Sequence, residues 1–195
     1  MSSLPKWPTY AIGSPEAIFC VGMISVNFAE LTSVFSYIFT EIFDLDMDGG
    51  RAIVSKIGEK YTIDLAKERL KSEKFEIKNA DLLGYFLTGF DVCLQNRNEL
   101  LHAELSWMRT DRPFFVRASR QGNMIGCLVT VQELQNFADS IKEFSNFGRA
   151  VINANGWPEL AKLIENAPPI SDIPSPDKPL LPKRIEFRSG PLYYE

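Results

Sequence analysis

The sequence predicts an all-α fold, an up-and-down bundle of four to five helices with a short β-hairpin between the third and fourth long helices. Two apolar stripes and one change of texture predict it. Val21, Ile24, Phe28, Leu31, Phe35, Ile38 and Ile42 alternate at spacings of three and four, the period of one face of an α-helix. Leu83, Leu87, Phe90 and Leu94 repeat that spacing further on, and the stripe resumes at Leu101 and Leu105. After it, PFFVRAS and MIGCLVT read as two short strands joined at Gln121-Gly122-Asn123, where the glycine suits a hairpin turn.

Ser14-Pro15-Glu16 opens the first helix, since serine can cap, proline suits the first helical position and glutamate complements the helix dipole. The stripe that follows implies about 28 residues and about 42 Å of helix. Residues 17–39 are apolar enough that a membrane span has to be weighed. Glu30 lies in their middle, however, at a cost of about 2.5 kcal/mol or more at a bilayer centre, and no basic cluster flanks them. A core helix and no membrane contact are expected.

DLDMDGG, residues 44–50, reads as an acidic turn, because paired glycines break helices and aspartates suit caps. Its alternating acids resemble the start of a calcium loop, but the glutamate that such a loop needs downstream is out of register. A second helix is expected over 51–74 with Ile53, Ile57, Tyr61, Leu65 and Leu70 inward, and a third over 79–105. Thr130 to Glu133 form a capping box opening a fourth, lined by Leu134, Phe137, Ile141, Phe144 and Val151 and ended by Asn155-Gly156. A short helix over 159–165 would complete a bundle domain of residues 14–166. Eight of the twelve prolines lie at or beyond Pro158, so residues 167–195 should form an extended or partly disordered arm. Its end, Leu192-Tyr193-Tyr194, offers an apolar surface to the body or to a neighbouring chain.

The chain has 195 residues, 45% hydrophobic and 24% charged, which fits one globular domain and excludes wholesale disorder. Its net charge of −4 makes the surface as a whole repel nucleic acid. Residues 97–120 invert that sign with five cations, Arg97, Arg109, Arg112, Arg117 and Arg120, against the anions Glu99, Glu104 and Asp111. Any phosphate contact is expected there, with Arg109, Arg117 and Arg120 as binding residues on and around the hairpin. The three cysteines, Cys20, Cys93 and Cys127, are scattered among apolar residues and form no CxxC pair. Buried free thiols in a reducing cytoplasm are expected, with neither zinc nor another metal and no cofactor. The N-terminus lacks the basic-then-apolar order of a signal peptide.

The chemistry-bearing stretch is DVCLQNRNELLHAELSW, residues 91–107, which holds the single histidine of the chain. Asp91, Gln95, Asn98 and His102 make a polar row beside the apolar stripe, and Arg97 stands where that stripe calls for leucine. A cation on the buried side of a helix must meet a carboxylate, a partner or an anionic ligand. Asn98 and His102 lie about 40° apart round the helix and Arg97 and His102 about 140°, so one broad or shared site could use all three.

The arginine, four residues, then histidine of RNELLH, with asparagine directly after the arginine, resembles the motif of the HEPN family, the nucleotide-binding domains of higher eukaryotes and prokaryotes. Two long helices, a third ending in the motif, a hairpin and a closing helix resemble that family's organisation over residues 14–155. The resemblance implies a homodimer through the motif helices and, in active members, a metal-independent endoribonuclease of toxin or defence type. By position, Arg97 would bind and polarise phosphate, His102 would move the proton of the 2′-hydroxyl or leaving oxygen, and Asn98 would orient one of them. Arginine forks match phosphate, and imidazole suits acid/base work. RNA and a cognate antitoxin or other protein would be the partners.

Three other readings stand beside this one. The motif dimer could be non-catalytic and bind a nucleotide, a nucleic acid or a protein. The proline-rich arm could dock a partner. Finally, Arg97 could form a buried salt bridge with Glu41, Asp64 or Glu104, with His102 merely hydrogen-bonded in the core.

Overall fold

The first stripe becomes α1 (Pro15–Phe43), with the Ser14 hydroxyl accepting from Ala17 N at 3.2 Å. The structure, a computed structural model, describes residues 14–72, 77–106, 113–157 and 176–188. Along α1, Ile24, Leu31, Phe35 and Ile38 are fully buried, as their spacing predicts, while Val21 is only half-buried. Glu30, the acid that interrupts the apolar run, receives Lys142 at 2.7 Å and Arg149 at 2.5 Å from the last long helix. By length and composition α1 could cross a membrane.

The expected turn at 44–50 is instead largely helical. Asp44 takes a left-handed conformation (φ 51°) and ends α1, and Asp46 then caps α2 (Met47–Ile57) by accepting from Gly49 N at 2.7 Å. The glycine pair does not break the helix; Gly50 lets it approach α1, where an added Cβ would sit 2.0 Å from Thr40 Oγ1. The break falls later, at Gly58 (φ 85°), and splits the expected second helix into α2 and α3 (Glu59–Lys71). Only glycine takes that backbone without strain.

The second stripe becomes α4 (Ala80–Leu101), which ends at His102 and does not continue to Leu105. Residues Glu104–Ser106 form β1, which pairs antiparallel with β2 (Phe114–Ala118), itself paired with β3 (Met124–Leu128). The expected hairpin is therefore the greater part of a three-stranded sheet in the order β1-β2-β3, turned by Gly122 at φ 81°. The final helix, α5 (Val131–Ala154), starts at the predicted capping box and is followed by Gly156 at φ 71°.

Among the described residues the fold is thus mostly helical, five helices with one small antiparallel sheet. The core is largely aromatic: Phe90 stacks on Phe35 at 4.4 Å between ring centroids, on Phe28 at 5.7 Å and on Phe86 at 6.2 Å. Helix α5 comes close to α4 at Gly89, where an added Cβ would meet the Phe144 ring at 1.9 Å. Cys20 and Cys93 are buried free thiols, as expected, and burial pushes the Cys93 thiol up to about 12. Cys127 is free but only half-buried. The expected helix at 159–165 and the aromatic end at 192–194 lie outside the described residues.

Candidate site at the end of the motif helix

Helix α4 changes character at Asn96. Before it, Phe86, Leu87, Phe90 and Cys93 are fully buried; after it, Arg97, Asn98 and Glu99 are half-buried and His102 is exposed. The helix stops at His102 (φ −96°, ψ 2°), whose backbone N–H returns to Asn98 O at 3.1 Å. Two residues later β1 begins, so the sheet is tied to the chain immediately beyond the histidine. Through this pairing, with Glu104 opposite Val116, the hairpin is joined to the chain just beyond His102.

Arg97 lies across the aromatic core, with its guanidinium carbon 5.3 Å from the centroid of Phe28, the ring that stacks on Phe90. Its Nη1 donates to Asn98 Oδ1 at 2.8 Å. Its Nε is buried and has no hydrogen-bond partner. Among the described residues no salt bridge joins Arg97 to a carboxylate, so the pairing with Glu41, Asp64 or Glu104 is not formed; Asp64 instead pairs with Lys60 at 3.1 Å. The face of an aromatic ring attracts a cation by about 1 kcal/mol, less than a buried carboxylate would contribute. His102 is likewise not a core histidine, because its side chain is exposed.

The polar row is only partly available for chemistry. Asp91 accepts from Lys60 and Lys67, each at 3.2 Å, and from Gln95 at 3.0 Å. Burial opposes ionisation of Asp91, yet Gln95 and Lys60 outweigh it and hold the carboxyl below its ordinary value. Asp91, held from within α4 by Gln95, therefore joins α4 to α3, and Asn98 and His102 are what remains of the row at its outer end.

The three expected binding arginines separate. Arg117 is not a free cation: its Nε donates to Glu99 Oε2 at 2.7 Å, its Nη2 pairs with the same oxygen, and its guanidinium lies 5.2 Å from the Phe187 centroid. A strand arginine beside an acidic helix end finds that acid first. Arg120 is exposed in the turn between β2 and β3, and Arg109 lies outside the described residues.

Two residues of α4 that sequence pattern alone does not mark as functional prove to be polar anchors. Asn96 is 1% exposed and bonds the main chain of the C-terminal arm, donating to Lys183 O at 2.8 Å and accepting from Ile185 N at 2.9 Å. Tyr85 donates to Pro179 O at 2.5 Å. The only local sign was an asparagine among residues that helical phase assigns to the interior. Among the described residues no group of histidine, cysteine and acidic side chains is arranged to hold a metal ion. Comparison with known proteins returned no matching family model, no matching curated protein and no matching solved structure.

Proposed function

We propose that this protein is a HEPN-like, metal-independent endoribonuclease of toxin or defence type that acts as a homodimer built on an up-and-down bundle. The observation that supports it is the state of Arg97: half-buried, in no salt bridge among the described residues, its Nε without a partner, and just over one helical turn from the exposed His102. An arginine so placed offers a fork to a phosphate without first breaking a salt bridge.

The roles follow from the chemistry of strand cleavage. The ribose 2′-oxygen attacks phosphorus, the bond from phosphorus to the 5′-oxygen breaks, and the products are a 2′,3′-cyclic phosphate and a 5′-hydroxyl. A base takes the 2′-proton and an acid protonates the leaving oxygen. One chain contains a single histidine, so two copies supply one His102 for each task. Arg97 stabilises the charge gathering on the phosphoryl oxygens, and Asn98, bonded to its Nη1, fixes the direction of the fork. The protein would work in the cytoplasm under the control of a cognate antitoxin or other partner.

The test is cleavage of a labelled RNA in excess chelator. Wild type should cut; Arg97→Ala and His102→Ala should each lose the activity with helical circular dichroism unchanged. A second reading, a non-catalytic dimer that binds a nucleotide, a nucleic acid or a protein, is favoured by Arg117, whose charge is already neutralised by Glu99. It predicts RNA binding without product, and cutting by wild type that either variant abolishes would eliminate it.

A further inference from the structure

The C-terminal arm rests in a seat that grips main chain. Residues 176–188 run extended from the start of α4 to the edge of β3. Lys178 pairs with Asp81 at 3.3 Å and lies 5.3 Å from the Tyr85 centroid. Tyr85 then takes Pro179 O, and Asn96 takes Lys183 O and Ile185 N. Finally Arg188 exchanges both backbone hydrogen bonds with Gly126, at 3.1 and 3.0 Å. The buried Asn96 amide offers one donor and one acceptor to residues two apart, as an adjacent strand would. Pro182 is buried, and from Arg184 to Arg188 the exposure alternates as in a strand, with Ile185 and Phe187 packed on the core and Arg184, Glu186 and Arg188 exposed.

Nothing in this seat requires that the arm come from the same chain. Helix α5 ends beside the start of α4, with Asn79 Nδ2 donating to Ala154 O at 3.3 Å, and the arm meets α4 two residues further on at Asp81. A few residues would close that gap, and the sequence supplies residues 158–175, a length of chain that reaches up to about 60 Å when fully extended. Leu180 and Leu181 are 88% and 44% exposed on the seated arm, apolar side chains left to solvent.

We propose that the arm is exchanged between two copies of this chain, each arm lying along α4 and β3 of the other. Every contact of the seated arm in the exchanged dimer is one that the single chain already makes, so exchange sacrifices no packing. The balance is then decided by association entropy and by the apolar surface that a second copy covers at Leu180 and Leu181. This goes beyond the proposed reaction and does not rest on it.

Two complementary variants of the full chain test the idea. One carries a broken seat and an intact arm, Asn96→Ala with Gly126→Val, since a Cβ at Gly126 would lie 2.5 Å from the Phe114 ring. The other carries an intact seat and a broken arm, Ile185→Pro with Phe187→Asp, which removes the N–H that Asn96 accepts. Mixed at equal concentration, they should associate with each other at least about ten-fold more tightly than either associates with itself, read by sedimentation across a dilution series. A synthetic peptide of residues 176–188 should bind the second variant at least about ten-fold more tightly than the first. A mixture that sediments as the sum of its components, or a peptide that does not distinguish the two, overturns the proposal. Asn96→Leu alone replaces the first variant should its helical circular dichroism be lost. Because the readouts are mass and peptide affinity, failure here leaves the ribonuclease reading to its own assay.

Discussion

The two ends of α4 use one helix for opposite purposes. From Leu82 to Leu94 its inward residues join a stack of phenylalanines against α1 and accept α5 across Gly89, so that a single methyl group there would collide with Phe144. From Asn96 to His102 the same helix carries an amide, a guanidinium, a second amide, a carboxylate and an imidazole, and close packing gives way to directed hydrogen bonds. Arg97 joins the two regimes, its guanidinium resting on Phe28 while its Nε remains unsatisfied. The contrast teaches that the aromatic stack acts as a rigid base for the polar end. The guanidinium lies over a ring that itself stacks on Phe90.

The difference can be broken from either side. Phe90→Ala removes the centre of the stack and should cost about 3–5 kcal/mol of stability in urea denaturation. Arg97→Ala should cost no more than about 1 kcal/mol in the same measurement, the scale of a cation on a ring. If the two losses were equal, Arg97 would be a structural brace and the contrast would collapse. Next in size, His102→Ala should slow RNA cleavage about 100-fold or more, the span of general acid–base catalysis, without moving the urea midpoint. An unchanged rate would return His102 to the role of a helix terminator.

Smaller effects sharpen the boundary between packing and polar anchoring. Thr130→Ala deletes half of the capping box of α5 and should lower stability by about 1 kcal/mol, read as a shift in melting temperature with cleavage unaffected. The Glu30 pair should contribute about 1 kcal/mol or less and only above a certain pH. The Lys142 hydrogen bond is the largest influence on Glu30 and, with Arg149, holds its carboxyl below the ordinary 4.5 despite some burial. A lowered folded value means stabilisation that is present above pH 4.5 and lost as the pH falls below it. Glu30→Gln should therefore destabilise at pH 7 and leave stability at the acid end nearly unchanged; equal losses at both ends would show that the charge is idle.

Local patterns carried most of the helical scaffold. The stripe from Ile24 to Ile42, the Thr130–Glu133 box and the Gly122 turn each work through neighbours within a few residues, and each stands where its spacing predicts. The helix boundaries were legible to the extent that their causes were local. Gly49-Gly50 misleads because a glycine pair usually breaks a helix, whereas here the bare Cα serves a contact with Thr40. Likewise Leu105 continues the stripe in phase and so predicts more helix, but its backbone pairs with Phe115 on the next strand. At the candidate site, Arg97, Asn98 and His102 were conspicuous as polar residues on an apolar stripe, while nothing in the local pattern announced that Arg117 pairs with Glu99.

By itself the sequence determined the lengths of α1 and α5, the caps that start them and the hairpin. These depend on backbone geometry and side-chain period over a turn or two, which a chain carries with it before it folds. Only the tertiary structure decided that Arg97 rests on Phe28 with no acid paired to it among the described residues, that Arg117 is taken by Glu99, and that Asn96 holds main chain 87 and 89 residues away. Such pairings are set by which surfaces meet after the helices pack, and a hydrogen bond between distant residues leaves no period in the sequence to announce it.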